Sequence, residues 1–268
     1  MAGVLTGRVA LITGGGGEIG GAIARRFGRE GACVLVADIV LEKAQAVAEE
    51  ILSAGGRAVA HQCDVGSPNA CAHVVQACMD EFGTLTILVN VAAAVTPNAN
   101  VESLALEDWN VALDVNLTAS FLTAKHAVPH MIAAGGGSII NIASQLGQIG
   151  VLNRPAYSTT KAALIQLTKC LAVDYARDGI RANTISPGSI NTGRSTSSWG
   201  SREEAQRMRG PAHLLGRLGE VDEIASGAVF LASDASSLMT GADLLLDGGY
   251  LAFKGAPMEE AIMRGTVS

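Results

Sequence analysis

Tyr157 and Lys161 stand four residues apart in the run Pro155-Ala156-Tyr157-Ser158-Thr159-Thr160-Lys161, and Ser144 lies thirteen residues before the tyrosine. On a helix, positions i and i+4 share a face, with Cβ atoms roughly 5–6 Å apart. An ordinary phenol loses its proton near about pH 10. An ammonium held beside it favours the phenolate and brings proton exchange toward neutral pH. That is the chemistry needed to move a proton on or off an alcohol oxygen. The spacing alone decides nothing, because Ser237, Tyr250 and Lys254 repeat the same intervals. The elements around each set must discriminate between them.

Short apolar runs alternate with longer amphipathic stretches. Strands are expected over 8–13, 33–37, 58–62, 85–89, 138–142, 180–185 and 242–246. Helices are expected over 18–30, 41–54, 68–82, 106–133, 156–177 and 220–231, the fourth a single long helix with Pro129 tightening its end. Strands this apolar cannot face water on one side. The pattern implies α/β architecture, a doubly wound parallel sheet of seven strands with helices on both faces. Nothing divides the chain, so one domain is expected over 1–268.

Ligands of such sheets sit at the carboxyl ends of the strands. Ser144 lies just past the strand 138–142, and Tyr157 and Lys161 open the next helix, so all three meet at that edge. The second set fails: Ser237 precedes its strand, and Tyr250 and Lys254 lie between Gly248-Gly249 and Gly255-Ala256-Pro257, which is poor helix context. The segment 189–215 has no clear period and emerges at the same edge as Ser144. Long loops of this kind are usually lids or binding loops. The tail 251–268 is weakly patterned, either disordered or packed on a neighbouring subunit.

Thr13-Gly14-Gly15-Gly16-Gly17-Glu18-Ile19-Gly20 follows the first strand and opens the first helix. Gly15, Gly17 and Gly20 fit G-x-G-x-x-G, which gains its meaning from the strand before and the helix after. Glycines let the backbone approach a pyrophosphate, and the helix start offers it N–H groups. Asp38 ends the second strand, where a carboxylate accepts ribose hydroxyls and repels a 2′-phosphate. No Arg or Lys occurs between Thr13 and Ala24, or at Ala37 and Ile39, so NAD is expected over NADP in this Rossmann-type fold.

With these motifs in register, the chain resembles the short-chain dehydrogenase/reductase family from its start to about Tyr250. The family's T-G-x-x-x-G-x-G turn is similar to Thr13–Gly20, with Glu18 where the pattern has its middle glycine. The resemblance implies coenzyme contacts from Gly14, Gly15, Gly17, Glu18, Ile19 and Gly20, from Asp38, and from Asp64 and Val65 beside the adenine. It implies others from Asn90 and Ala92, in a stretch that departs from the family's N-N-A-G, and from Tyr157 and Lys161. Pro187, Gly188, Ile190 and Thr192 resemble the stretch that holds the nicotinamide carboxamide. The implied catalytic set is Tyr157 as acid/base, Lys161 lowering its pKa, Ser144 donating to the substrate oxygen, and Asn116 holding a water that links Lys161 to solvent.

The composition sets bounds. Net charge is −6, with no basic block, so neither nucleic acid nor an anionic membrane surface is an expected partner. The five cysteines, Cys33, Cys63, Cys71, Cys78 and Cys170, include no C-x-x-C pair and read as buried thiols of a reducing, cytoplasmic compartment. His126 and His130 could clamp a metal at i and i+4, but no third ligand is evident, and no metal site is expected. The resulting expectation is an NAD-dependent oxidoreductase interconverting a secondary alcohol (a polyol, sugar, hydroxy acid or cyclic alcohol) and its ketone. A 3-oxoacyl-thioester reductase and a silent NAD-binding regulator are the alternatives. Pocket walls are expected from Ala94, Val95, Gln145, Leu146, Leu152, Arg154, Ser189 and the 194–213 loop, with Arg154 more readily a surface ion pair. Family members are mostly tetramers built through the 106–133 and 156–177 helices, and a homo-oligomer is expected here.

Overall fold

The computed structural model describes residues 3–193, 197 and 199–252. Seven strands form one parallel sheet in the order β3-β2-β1-β4-β5-β6-β7. They are β1 Val9–Thr13, β2 Cys33–Asp38, β3 Arg57–Gln62, β4 Ile87–Asn90, β5 Gly137–Ile142, β6 Ile180–Pro187 and β7 Asp243–Leu246. The central strands are buried along their whole length, which fits their unbroken Val, Ile and Leu content. Helices α1 Glu18–Arg29, α2 Leu41–Ser53, α3 Pro68–Phe82, α4 Leu106–Leu113, α5 Ala119–Ala133, α6 Pro155–Tyr175, α7 Arg202–Arg209 and α8 Val221–Ala232 complete the described order.

Two apolar layers hold helices to the two faces. One joins α1, α2 and α8 to the sheet through residues such as Ile23, Phe27, Val47, Ile51, Ile224 and Leu231. The other joins α3, α5 and α6 through Val74, Cys78, Ala127, Met131 and Leu171. Burial of an Ile or Phe side chain contributes about 1.5–3 kcal/mol, so each layer binds its helices strongly. β1 pairs with both β2 and β4. Connections leave in opposite directions on either side of β1, which opens a crevice at the carboxyl edge. No helix among the described residues is long and apolar enough to cross a membrane.

Two expectations are corrected. The stretch 106–133 is not one uniform α-helix: a π segment, Asp114–Thr118, separates α4 from α5. The stretch 189–215 is not patternless, since it contains α7. That helix buries only Ala205 among its residues, so no apolar periodicity marked it. Its signal was Ser201-Arg202-Glu203-Glu204, an S-x-x-E capping pattern. The Ser201 side chain accepts from the Glu204 N–H at 3.1 Å.

Four of the cysteines are buried or half-buried and Cys170 is exposed; all are free thiols. Burial pushes Cys63 up to about 12, Cys71 to about 11 and Cys78 to about 12. These three are inert packing groups. No group of three or more potential metal ligands occurs among the described residues.

Candidate active site

β5 ends at Ile142, and the chain turns through Ser144 into α6, which starts at Pro155. Proline is favoured in the first turn of a helix, where its missing N–H has no partner to lose. The first turns of α6 carry Tyr157, Thr160 and Lys161. Lys161 is 2% exposed. Its Nζ donates to the Ile142 carbonyl at 2.7 Å and lies 5.8 Å from the centre of the Tyr157 ring. A buried ammonium is costly unless hydrogen-bonded, and the carbonyl at the end of β5 meets that need. Ser144 is buried, and its Oγ accepts the Leu146 N–H at 3.1 Å. The hydroxyl proton of Ser144 is left to orient toward another acceptor.

Asn116 sits inside the π segment and is 1% exposed. Its Oδ1 accepts the Ala94 N–H at 2.8 Å, and its Nδ2 donates to Thr160 Oγ1 at 3.2 Å. Thr160 Oγ1 in turn donates to the Tyr157 carbonyl at 2.9 Å. Asn116 therefore ties the loop after β4 to the turn of α6 that carries Tyr157 and Lys161. π-Bulges occur often at functional sites. This tie through Thr160 was not visible in the sequence.

The glycine-rich turn closes on itself. Gly14 has φ +64, and a Cβ there would stand 2.8 Å from the Ala92 backbone. A Cβ on Gly20 would stand 2.2 Å from the Gly14 oxygen, and one on Gly15 2.7 Å from Val36. Among the described residues, a Cβ on Gly17 would meet only the Gly14 oxygen, at 3.3 Å. Gly17 is the N-cap of α1, and no side chain caps the helix. The first N–H groups of α1 and the bare Gly17 thus form an open, anion-accepting corner, which fits a dinucleotide pyrophosphate.

Asp38 closes the far side of that corner. Its Oδ2 accepts the Gly16 N–H and its Oδ1 the Val40 N–H, each at 3.0 Å. Lys43, in the first turn of α2, was overlooked in the sequence. A Cβ on Gly16 would stand 2.7 Å from the Lys43 Cβ and 3.0 Å from the Asp38 carboxyl carbon, so the cation's stem lies beside the carboxylate.

The other predicted coenzyme residues fall at the same edge with differing roles. Asp64 is exposed, its Oδ1 accepting the Gly66 N–H at 2.9 Å, and Val65 is buried behind it. The Asn90 side chain turns into the interior: Nδ2 donates to Asn141 Oδ1 at 2.9 Å, and Oδ1 accepts from Thr123 at 2.8 Å. What Asn90 presents outward is backbone. Pro187 ends β6, and Gly188 packs so closely on Asp247 and His213 that a Cβ would stand 2.8 Å and 2.9 Å from them. Ile190 bridges to Gly219, and the Asn191 N–H reaches the Gly219 carbonyl at 2.8 Å. Ile19, Ala92 and Thr192 are half-buried.

His213 is a second residue that the sequence did not single out. It is buried, and its Nδ1 shares a 2.5 Å hydrogen bond with the Asp247 carbonyl oxygen. It thereby backs the stretch at Gly188. The walls expected for a substrate pocket divide: Val95 and Leu152 are strongly exposed, whereas Gln145 is buried. Arg154 forms no ion pair among the described residues, against the expected surface bridge. Of the competing set, Ser237 follows a short turn before β7, and Lys254 lies outside the described residues.

Comparison with known proteins agrees with this geometry. Residues 16–251 match the family profile described as Enoyl-(Acyl carrier protein) reductase. The chain is similar to the 2,5-dichloro-2,5-cyclohexadiene-1,4-diol dehydrogenase of Sphingobium indicum, at 40% identity over 93% of this chain and 98% of that one. It is similar also to the cyclohexanol dehydrogenase of an Acinetobacter strain, at 38% identity over 93% and 97%. Among solved structures, a short-chain type dehydrogenase/reductase from Mycobacterium marinum superposes with a TM-score of 0.83, at 37% identity over 92% of this chain and 96% of that one. The buried lysine beside its tyrosine, the glycine turn and these likenesses together place the chain in the short-chain dehydrogenase/reductase family of oxidoreductases acting on CH–OH groups, which use NAD or NADP.

Proposed function

We propose that this protein is an NAD-dependent dehydrogenase interconverting a secondary alcohol, a cyclic alcohol or a polyol, and its ketone. The observation that carries the reading is the buried Lys161 ammonium 5.8 Å from the Tyr157 ring, at the edge of the sheet where the glycine turn opens. A bound nicotinamide supplies the hydride acceptor in oxidation and the donor in reduction. The chain's own groups move the proton. Tyr157 takes it from the carbinol oxygen or returns it, with the Lys161 ammonium 5.8 Å from its ring. Ser144 donates a hydrogen bond to the same oxygen as charge develops there. Asn116 positions α6 through Thr160 and fixes the loop at Ala94. The described residues form one catalytic domain around a single sheet.

NAD rather than NADP follows from Asp38, whose carboxylate fills the corner where a 2′-phosphate would have to sit. The preference for cyclic alcohols or polyols draws on the relatives, whose names specify a cyclohexadienediol and cyclohexanol. Self-association through α4, α5 and α6 is part of the proposal. Leu106, Val111, Phe121 and Val173 are exposed on these helices, Val173 at 81%, which supplies apolar surface for such contacts.

The test is absorbance at 340 nm with NAD and with NADP, across cyclic alcohols, polyols and hydroxy acids. Oxidation with NAD is expected, and Tyr157→Phe is expected to abolish turnover while leaving NADH binding intact. Retained turnover in that variant refutes the assignment. A second reading, reduction of an acyl thioester, rests on the profile's description. It predicts activity on acyl thioesters with NADPH and none on alcohols.

A further inference from the structure

Glu18 stands where the family pattern has glycine, and its side chain is not idle. Its Oε2 accepts the Gly193 N–H at 2.5 Å, and its Oε1 lies 3.9 Å from Arg202 Nη2. Gly193 follows directly on the stretch Pro187–Thr192, and Arg202 opens α7. One carboxylate at the start of α1 thus reaches both ends of the connection between β6 and α7. Other anchors of this stretch among the described residues lie on the far side of the crevice. Gly188 bonds to Leu246, the Asn191 backbone to Gly219, and the Asn191 side chain to Glu220. Glu18 adds a tie across the crevice, from the helix that opens the glycine turn.

We propose that Glu18 is a positioning residue that clamps the stretch ending at Gly193, and with it the first turn of α7, to the start of the dinucleotide-binding helix. The proposal rests on the coenzyme reading above for its consequence, not for its geometry. With the carboxylate drawn toward Gly193 and Arg202, its charge is directed away from the corner at Gly17 and partly offset by the guanidinium. The clamp therefore holds the nicotinamide side of the crevice in place before coenzyme arrives, and coenzyme leaves more slowly than it would from an untied stretch. The contacts are solvent-exposed, so the effect is modest: a charge-assisted bond with an exposed ion pair corresponds to about a threefold to tenfold change in an equilibrium.

The experiment compares wild type, Glu18→Ala and Glu18→Gln by hydrogen exchange without coenzyme, and by stopped-flow release of NADH. Gln keeps an oxygen for the Gly193 N–H but loses the charge; Ala loses both. The expected result for E18A is exchange about threefold to tenfold faster over 189–193 and 202–209, unchanged strands, and faster NADH release by a similar factor. E18Q, which keeps the acceptor for the Gly193 N–H but loses the pairing with Arg202, is expected to fall between wild type and E18A. A general rise in exchange in E18A would report damage to α1, and Gly193→Pro then decides. It deletes the N–H that Glu18 accepts and leaves the Glu18 side chain itself unchanged. NADH release from G193P at the wild-type rate overturns the proposal, as does unchanged local exchange in E18A, or E18Q exchanging as fast as E18A. Failure of the coenzyme reading looks different: no variant, wild type included, binds NADH, while exchange still reports on the clamp.

Discussion

Gly20 and Gly17 lie three residues apart in the same turn, yet the structure gives them opposite duties, and alanine at each separates stability from binding. A Cβ on Gly20 would sit 2.2 Å from the Gly14 oxygen and 2.9 Å from its carbonyl carbon. Ordinary contacts begin at 3.4 Å, so the first turn of α1 must retreat from the glycine turn by more than about 1 Å. Both partners are backbone and cannot swing aside. Overpacking of this kind costs about 1–3 kcal/mol or more, and the helix propensity of Ala over Gly returns at most about 1. A net loss of about 2 kcal/mol corresponds to roughly 4–8 °C in Tm for a chain of this size. On Gly17 the added methyl meets one atom at 3.3 Å. Alanine is a poorer N-cap than glycine, a cost of about 1 kcal/mol or less. The methyl projects into the corner proposed for the pyrophosphate. Gly17→Ala is therefore expected to melt within about 3 °C of wild type and to bind NADH at least about tenfold more weakly, since a methyl wedged between N–H donors and an anion costs about 1.4 kcal/mol or more. Thermal unfolding without coenzyme and fluorescence titration with NADH read the two effects separately. If Gly17→Ala loses as much stability as Gly20→Ala, or binds NADH as wild type does, the division of labour is wrong.

Asp38→Ala is expected to weaken NAD and to admit NADP, because Lys43 stands beside the vacated position and can meet a 2′-phosphate. Adding Lys43→Ala should cancel that gain; steady-state KM values for both coenzymes check it, and an unchanged NAD KM in Asp38→Ala would remove the residue from the site. Asn116→Ala leaves the half-buried Ala94 N–H without its acceptor and removes a donor to the buried Thr160 hydroxyl, which keeps its bond to the Tyr157 carbonyl. A loss of about 1–3 kcal/mol is expected in chemical denaturation, and Asn116→Asp, which keeps the acceptor for Ala94, should lose less. Arg217 holds the Glu223 carboxylate at 2.7 Å, and with the Glu220 N–H it keeps that carboxyl down at about 2. A depressed carboxyl stabilises the fold above its ordinary range near 4.5 and loses that contribution as pH falls toward 2. Both side chains are about half exposed, so Arg217→Ala should cost no more than about 1 kcal/mol at pH 7. The difference in Tm from wild type should shrink between pH 4.5 and about 2; a gap that widens on acidification contradicts the assignment.

The alternation of apolar runs and amphipathic stretches carried the sheet because its five inner strands, β2, β1, β4, β5 and β6, are buried along nearly their whole length, and only the edge strands β3 and β7 are half-buried. Strand ends were less legible. Asn90 reads as a polar stop after the strand, yet it belongs to β4, pairing in register with Thr13 and Asn141. Its side chain is satisfied by Thr123 and Asn141, contacts thirty-three and fifty-one positions away. α7 escaped notice for the opposite reason, since a helix with almost no buried face leaves no periodic trace and only its capping residues mark it.

The candidate site divides along the same line. Tyr157, Lys161 and Ser144 were legible because each is fixed by a local element, one by the end of β5 and two by the start of α6. Asn116 could be placed on a helix but not given its partners. The buried positions Ala112, Asn116, Ser120, Thr123 and Ala127 keep a spacing of three to four across the π segment, so the pattern conceals the change of helix type. The bond that uses Asn116 joins a loop after β4 to α6 and depends on the whole sheet being assembled. Lys161 shows the same dependence from the other end. Its spacing from Tyr157 announces proximity, but an exposed pair would be screened by water and contribute little. The ammonium is held out of water beside the Tyr157 ring because the Ile142 carbonyl accepts from it at 2.7 Å. The sequence motif therefore names the pair proposed to react, and the end of a strand fifteen to nineteen residues upstream supplies the dry setting that holds its lysine.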